Sequence, residues 1–267
     1  MAHVERLRIY PIKGLDAIEL AESHITDAGT MAGDRAYALT IQGADETPES
    51  INGKQSERFH ELSTDFDPET KLLSVRTPEG EHEQFNLQRD LDSAGEWLCS
   101  FLDVEATLRR REPPAFVDRP AAGPSVISTA TLEEVASWFD GMSVEGARRR
   151  LRANVEVGGV PAFWEDQFVG EAAPGFEAGG VRFEGVEPCA RCVVPSRDPD
   201  TGEPLPEFRE RFLERREATF PEWADREAFD HLYTLMLIAR VPEPSRGTTI
   251  AVGDTVDADT KLPGRTA

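Results

Sequence analysis

Short runs of alternating or apolar residues, separated by Gly, Pro, Asp and Asn, constrain the fold of this chain more than any other feature. Val4–Tyr10, Ile18–Ile25 and Leu72–Arg76 are examples. Alternation of polar and apolar residues predicts strands, and the turn residues between the runs predict frequent reversals of the chain. The regular strand–helix–strand alternation of a parallel sheet does not occur. The sequence therefore predicts an α+β protein that is mostly β, with β-barrel architecture and flanking helices.

Helical spacing of apolar residues appears in a few places. Ser93 with Glu96, and Thr131 with Glu134, have the spacing of a capping box at a helix N-terminus. Apolar residues three and four positions apart follow each box, which predicts one amphipathic helix in each place. Two more helices are predicted between residues 206 and 236.

Three further segments have the pattern of strands. Phe59–Leu62 is predicted as a short strand, and Thr249–Val256 as the last strand. Leu151–Val157 is predicted as a strand that carries two polar residues of interest. Arg152 and Asn154 would point to the same face of this strand, since side chains in a strand repeat every two residues.

A stretch rich in arginine and proline divides the chain. Residues 109–124 contain three consecutive arginines and four prolines, which is typical of a linker or a long loop. We therefore predict two domains, an N-terminal one over residues 1–112 and a second over residues 113–262. Residues 263–267 are predicted to be a disordered tail.

The charge of the chain excludes some partners. Fifty acidic residues against 29 basic ones give a net charge of −21, which disfavours binding to nucleic acid or to anionic membranes. The acidic composition is typical of halophilic proteins from salt-saturated cytoplasms, where screening reduces self-repulsion. No signal peptide is apparent, and three cysteines do not make a disulfide framework. We expect a soluble cytoplasmic protein.

The most distinctive local motif is Cys189-Ala190-Arg191-Cys192, at the end of a short apolar strand. A neighbouring guanidinium lowers the pKa of a thiol and favours the thiolate, which is both the nucleophile and the metal ligand of cysteine. The following segment 198–202, Asp-Pro-Asp-Thr-Gly, has the composition of a rigid turn. Such a strand would present one sulfur at its tip.

From the residues alone, three interpretations of Cys189 and Cys192 stay open. A zinc site needs two further ligands, and the five histidines are scattered along the chain. A dithiol redox pair normally begins a helix, whereas Val193-Val194-Pro195 predicts strand and turn. The third interpretation is two ordinary strand cysteines. Cys99, on a predicted helix, is interpreted as a packing residue.

Four basic residues lie at turn–strand junctions beside Gly, Asn or Cys. They are Lys13, Arg35, Arg152 and Arg191. Isolated cations at loop ends suit a phosphate or a similar anion, which they bind by charge-assisted hydrogen bonds. The alternative is that each one pairs with a surface carboxylate.

Five segments together carry a resemblance to a known family. In this order along the chain they resemble the MOSC family, in particular its two-domain members that are similar to the mitochondrial amidoxime-reducing component and have an N-terminal β-barrel domain. The five segments are Tyr10–Gly14, Gly33–Tyr37, Leu151–Val155, Phe163–Asp166 and Cys189–Gly202. The resemblance extends from the first strand to residue 254.

This resemblance implies a site for the molybdenum cofactor, a pterin dithiolene with a phosphate group. It implies that Cys192 is the protein ligand of the metal, for which a soft thiolate is suited. It implies an anion clamp of Lys13, Arg35 and Arg152, and a tyrosine that closes over the cofactor. The tyrosine is Tyr233, which lies on the predicted helical stretch. The remaining implied contacts are Gly14, Ser128, Asn154, Ala190 and Arg191.

Two positions depart from the pattern of the family. Gly14 stands where relatives often have serine, so that any contact there would be made by the backbone. Residues 121–124 lack the hydroxyl side chains that some relatives place there.

The resemblance also implies an activity. We expect a molybdenum-dependent oxidoreductase that reduces small N-hydroxylated or N-oxide-like substrates; pyridoxal phosphate binding is a further family-level expectation. The electrons are expected from a separate protein, a ferredoxin or a flavin reductase. Three cysteines cannot supply the four thiolates of a [2Fe–2S] cluster, and no Gly-x-Gly-x-x-Gly fingerprint of a dinucleotide site occurs. The alternatives are a non-redox carrier of the cofactor, a sulfur carrier, or a zinc-structural protein.

Overall fold

The computed structural model describes residues 1–42, 48–119, 123–171 and 173–259. Four α-helices are formed by these residues: α1 (Leu91–Leu102), α2 (Thr129–Ser137), α3 (Val144–Leu151) and α4 (Phe208–Ala218). Short 3₁₀ helices cover Glu57–His60, Trp164–Phe168, Val194–Ser196, Arg226–Ala228 and Glu243–Ser245. Strands outnumber helices, so the predicted class, α+β and mostly β, is confirmed. The predicted tail at 263–267 lies outside the described residues.

The strands of the described part form four sheets. In chain order the strands are β1 (His3–Ile9), β2 (Ile18–Leu20), β3 (Glu22–His24), β4 (Tyr37–Gln42), β5 (Pro48–Ser50), β6 (Ser63–Asp67), β7 (Leu72–Arg76), β8 (His82–Asn86), β9 (Thr107–Arg110), β10 (Ser125–Ser128), β11 (Val155–Gly158), β12 (Gly175–Ala178), β13 (Val181–Ala190), β14 (Thr234–Arg240), β15 (Thr249–Ala251) and β16 (Val256–Ala258). The largest sheet has the order β16-β12-β13-β14-β10-β11-β1-β2. The smaller sheets are β15-β3, β5-β4-β9 and β6-β7-β8.

The first strand of the chain belongs to the sheet of the second half. β1 runs antiparallel to β11, with Leu7 opposite Val155, and β2 pairs with the other side of β1. β11 in turn runs parallel to β10. A division of the chain at residue 112 therefore separates β1 and β2 from the strands with which they pair.

Two strands at the centre of this sheet place the cysteine motif. All residues of β14 from Thr234 to Ala239 are buried, because aliphatic and aromatic clusters cover both of its faces. β13 pairs with β14 along most of its length, but the register shifts on both sides of Glu187–Pro188. Bulges of this kind bend a strand and redirect its side chains. The strand ends at Ala190, so Cys192 follows the strand, as predicted.

Several predicted elements differ from the structure. The segment before Met236 contains α4 and one 3₁₀ turn, and the second predicted helix is wrong: residues 234–240 are β14. The predicted strand from Leu151 is also wrong at its start, because α3 runs to Leu151 and β11 begins only at Val155. The predicted strand Phe59–Leu62 is a 3₁₀ turn, and Thr249–Val256 contains β15 and the first residue of β16.

The helix caps also differ. α1 begins at Leu91 after Asp90, without a side-chain cap, rather than at a box of Ser93. α2 begins at Thr129, and its N-cap is Ser128, whose Oγ accepts a hydrogen bond from the backbone N–H of Thr131 at 3.0 Å. The capping box predicted at Thr131 is therefore wrong by one helical turn. Among the described residues, none of the helices combines the length and apolar character needed to cross a bilayer.

Candidate functional site

A cleft of about 570 Å³ collects most of the predicted site residues. It lies where the segments after β1 and before β4 meet the start of β11 and the end of β13. Eight of the ten predicted residues line it: Lys13, Gly14, Arg35, Arg152, Asn154, Ala190, Arg191 and Cys192. The predicted convergence of three clamp cations with Cys192 in one cleft is thus observed, and their role in binding stays a prediction.

The charge of this cleft is opposite to that of the chain. Six basic side chains and two acidic ones line it, an excess of four positive charges in a protein of net charge −21. The basic residues are Lys13, Arg35, Lys54, Arg119, Arg152 and Arg191, and the acidic ones are Asp34 and Asp118. A concave surface of one sign concentrates the field, so the cleft favours an anionic ligand.

Lys13 is a buried residue that lines the cleft. Only 10% of its side chain is exposed, and its Nζ donates a hydrogen bond to Oδ1 of Asp118 at 2.5 Å. The next residue, Gly14, has φ of +98°, and a Cβ there would lie 2.9 Å from the ring of Phe59. Glycine is therefore required at this turn for two reasons, the left-handed backbone and the close ring.

Arg35 and Arg152 lie over the ring of Tyr10. Their guanidinium carbons are 5.0 and 4.1 Å from the ring centroid, within the range of a cation–π interaction. Both residues have left-handed backbone, with φ of 51° and 62°. In Arg152 this conformation ends α3. The guanidinium of Arg152 also donates to the carbonyl of Leu15 at 2.6 Å.

The buried carboxylate of Asp34 fixes this arrangement. It accepts hydrogen bonds from the backbone N–H of Tyr10 at 2.9 Å and from the guanidinium of Arg35. Burial disfavours the charge of Arg35, but Asp34 and Tyr10 outweigh it, so that the pKa of Arg35 is raised above its ordinary value. Among the residues that the structure describes, no carboxylate forms an ion pair with Arg152, and burial lowers its pKa.

The two thiols of the motif differ in their surroundings. Cys189 is buried and Cys192 is partly exposed; both line the cleft, and both are free. The guanidinium of Arg191 donates to Sγ of Cys189 at 3.3 Å and to the carbonyl of Leu151 at 3.0 Å. The arginine that precedes Cys192 thus contacts the sulfur of the other cysteine. In the part of the chain described, no three His, Cys, Asp or Glu residues gather around a possible metal ion.

Tyr233 does not line the cleft, contrary to the prediction that it closes over a ligand from a helix. It lies directly before β14 and is buried, with its ring edge-on to Phe212 at 5.2 Å between centroids. Its hydroxyl donates to the carbonyl of Cys192 at 3.2 Å. Tyr233 therefore holds the backbone of Cys192.

Ser128 also lies outside the cleft. It is fully buried at the N-terminus of α2, where its backbone N–H donates to the carboxylate of Glu165 at 3.3 Å. Its hydroxyl caps the helix. These bonds make Ser128 the helix cap, and the geometry gives no support to its predicted contact with a cofactor.

Asn154 lines the cleft, but its side chain serves the fold. Its Oδ1 accepts from the backbone N–H and the hydroxyl of Ser125, at 3.1 and 3.0 Å. Its Nδ2 donates to the carbonyl of Arg8 at 3.1 Å. The asparagine thereby links β1 and β10 across the start of β11.

Sequence reasoning missed several residues of the cleft. Lys54, Arg119, Asp118 and His60 come from segments without a motif, and only the surplus of basic residues near turns could have indicated the first two. Burial and the nearby Arg152 lower the pKa of His60 to about 4, so its imidazole is neutral at pH 7. The Nε2 of His60 and the Nε of Arg191 are buried and have no hydrogen-bond partner among the described residues.

Two family models cover nearly all of the chain. The model of the MOSC N-terminal beta barrel domain matches residues 1–142, and that of the MOSC domain matches residues 120–257. The chain belongs to the MOSC family. MOSC domains are molybdenum-cofactor-sulfurase-like domains, and the family is associated with enzymes that bind this cofactor. The resemblance to the two-domain MOSC family and the N-terminal barrel domain expected from the sequence are thereby confirmed. No curated protein matches this MOSC chain.

The residues of the cleft fit the cofactor of the MOSC family. A partly exposed thiol, Cys192, suits a soft metal, and three cations suit a phosphate group. Two buried nitrogen atoms without partners, on His60 and Arg191, leave polar capacity beside the same cleft. A buried polar group of this kind costs free energy unless it is paired, so these atoms favour a polar occupant.

Proposed function

We propose that this MOSC protein holds the molybdenum cofactor in the cleft and reduces small N-hydroxylated or N-oxide-like substrates. One observation carries the proposal: a partly exposed cysteine and a cluster of cations share a single cleft in an otherwise acidic chain. Membership of the MOSC family supports the class of cofactor.

The residues divide the binding between them. Lys13, Arg35 and Arg152 would donate charge-assisted hydrogen bonds to the phosphate and the pterin, since all three line one cleft. Cys192 supplies the thiolate ligand, and Tyr233 keeps its backbone in place through the bond to its carbonyl. Arg191 stabilises the same loop, because its guanidinium donates hydrogen bonds to the sulfur of Cys189 and to the carbonyl of Leu151.

The bound cofactor supplies a metal centre for two-electron oxygen-atom removal. In the reaction the N–O bond of the substrate breaks, two electrons and two protons enter, and the amine or amidine and water leave. A separate donor protein, a ferredoxin or a flavin reductase, provides the electrons. The three cysteines of this chain are too few for a [2Fe–2S] cluster, and two of them line the cleft.

A second candidate, a sulfur carrier, is favoured by one observation. Cys189 is a second thiol in the cleft and receives a hydrogen bond from Arg191. A cysteine thiolate can attack the outer sulfur of a persulfide donor, whose own thiolate then leaves. In that function the protein would transfer sulfur without reducing an N–O bond.

The test compares two serine variants. Cys192→Ser should lower the molybdenum retained per chain by at least about tenfold, because even the outer partners of a metal ligand cost about 10–100-fold. Cys189→Ser is the matched control and should keep most of the metal. Elemental analysis measures the metal, and reduction of an amidoxime with a reduced viologen dye measures turnover.

Three other outcomes would contradict the proposed site or reaction. Equal loss of metal in both variants would contradict the single-ligand site and favour a dithiol site. Wild-type protein that contains no molybdenum but carries a persulfide on Cys189 would favour the sulfur carrier. Turnover with NADH or NADPH alone would contradict the need for a separate donor.

A further inference from the structure

Asp118 lies among the cations that line the cleft and is in direct contact with Lys13. Its carboxylate accepts the hydrogen bond from the buried ammonium of Lys13 at 2.5 Å. Lys54 and Arg35 also act on it: partial burial tends to raise the pKa of Asp118, but the charges of Lys13, Lys54 and Arg35 outweigh this effect and hold the pKa below its ordinary value. A carboxylate of the protein is thus bound to Lys13 in a cleft that Lys54 and Arg35 also line, where an anionic ligand would be attracted.

The two acidic residues of the cleft are held differently. Asp34 is buried and accepts from a backbone N–H and from Arg35, so its removal would break the fold of the turn. The side chain of Asp118 is 54% exposed, and the bond from Lys13 is the one hydrogen bond that the described residues give it. No second hydrogen bond from the described residues opposes a change of rotamer at Asp118.

The backbone around Asp118 is anchored on both sides. Phe116 is buried, and its N–H donates to the carbonyl of Arg35 at 3.1 Å. Arg119 forms an ion pair with Glu187 of β13. The side chain of Asp118 can leave Lys13 while its neighbours stay in place.

We propose that Asp118 is an internal counter-anion, and that the phosphate group of a ligand binds at Lys13, Lys54 and Arg35 by exchanging with it. Lys54 becomes a further binding residue, beyond the clamp that the family resemblance implies. The exchange also means that the buried charge of Lys13 is compensated in both states. The identity of the ligand as a cofactor rests on the proposed function, whereas the exchange does not.

The test measures phosphate binding to the full chain produced in a host that cannot make the molybdenum cofactor. Asp118→Asn removes the competing charge and should tighten binding of inorganic phosphate by about tenfold, measured by titration calorimetry. Asp257→Asn is the matched control, since Asp257 is an exposed residue of β16 outside the cleft and the change in net charge is the same. The control should change the dissociation constant by less than about twofold.

Three additional measurements make the test sharper. Adding Lys54→Gln to Asp118→Asn should remove part of the gain. Glycerol phosphate should show the same gain as inorganic phosphate, because the exchange concerns a terminal phosphate group. Phosphate should raise the unfolding temperature of Asp118→Asn more than that of the wild type. At the same phosphate concentration, a ligand that binds the folded protein more tightly stabilises it more.

Several results would overturn the inference. One is that Asp118→Asn binds phosphate no more tightly than the wild type does. A second is that Asp257→Asn tightens phosphate binding as much as Asp118→Asn does. A third is that Asp118→Asn binds inorganic phosphate more tightly but glycerol phosphate no more tightly than the wild type. Protein made in a host that produces the molybdenum cofactor could contain no molybdenum while Asp118→Asn still binds phosphate about tenfold more tightly. This result would contradict the proposed function and support the exchange.

Discussion

Tyr10 is the residue that allows two arginines to share one small volume. Its ring faces both guanidinium groups, and its hydroxyl donates to the carbonyl of Ala153 at 3.3 Å. The negative face of an aromatic ring attracts cations and offsets part of their mutual repulsion. Among the described residues, the guanidinium of Arg152 contacts only this ring and one backbone carbonyl. An anionic ligand would therefore be a stronger partner for Arg152 than either of them.

The clamp can be tested at Arg152. Arg152→Ala should weaken binding of the cofactor by about 1–3 kcal/mol, the usual range for a hydrogen bond to a charged group. Arg149→Ala is the control on the same helix, since Arg149 pairs with Asp200 at 2.7 Å and does not line the cleft. Cofactor retained per chain after dialysis gives the comparison. Equal losses in both variants would show that the effect comes from α3 and not from the cleft.

At the residue level, the sequence allowed prediction of those site residues that stand beside a special backbone position. Lys13 precedes a glycine, and Cys192 follows a strand end, so local pattern indicated both. Asp118 and His60 were not predictable in this way. Each lies in an irregular or single-turn segment, and each reaches the cleft only through the tertiary arrangement.

At the scale of elements, a buried polar network joins the start of α2 to the 3₁₀ turn Trp164–Phe168. Glu165 accepts from the hydroxyl of Thr131 at 3.1 Å, and Asp166 pairs with the fully buried Arg216 of α4. Burial and the neighbouring Asp166 raise the pKa of Glu165 above its ordinary value of 4.5. The folded protein therefore holds a proton on Glu165 at pH values where the unfolded chain has released it.

This proton makes stability depend on pH. In the window between the ordinary and the raised pKa, the folded state binds more protons than the unfolded state, so the contribution of Glu165 to stability falls as pH rises. Glu165→Gln removes the titration, and its stability relative to wild type should be higher at pH 8 than at pH 5 in urea unfolding. The control is Glu133→Gln, an exposed glutamate of α2. A pH-independent difference between Glu165→Gln and wild type would contradict the raised pKa.

Element types were predictable where alternation marks one buried face, whereas the fully buried run of β14 was assigned to the wrong type. The alternation in β1 and β7 indicated strands correctly. The apolar run of β14 has no alternation, because both of its faces are covered, and such a run fits a buried helix equally well. The strand predicted from Leu151 failed for another reason: the left-handed residue Arg152, which ends α3, has no signal in its residue type.

At the scale of the whole molecule, the two halves of the chain are interleaved. Besides the pairing of β1 with β11, the backbone of Val4 exchanges hydrogen bonds with Asp254 and Gly253, each at 2.8 Å. β3 pairs with β15. Residues from both family-matched domains line the cleft, so its geometry depends on the packing of one half against the other.

The interleaving predicts that the second half does not fold alone. A fragment of residues 113–267 lacks β1, which leaves β11 as an exposed edge whose Val155 and Val157 are fully buried in the complete chain. Exposed apolar edges associate, so the fragment should aggregate. Co-expression with residues 1–112 should restore a soluble complex, and size-exclusion chromatography measures both. A monomeric fragment with cooperative unfolding would contradict this prediction.

The left-handed backbone at Arg35 and Arg152 sets two evolutionary pressures against each other. Glycine adopts this conformation without the steric cost that a side chain brings, so selection for folding alone would favour glycine at both positions. In the proposed function, selection for ligand binding favours arginine instead. In a library of variants, enrichment at these two positions would therefore reveal which property the selection acted on, since stability and function call for different amino acids at the same site.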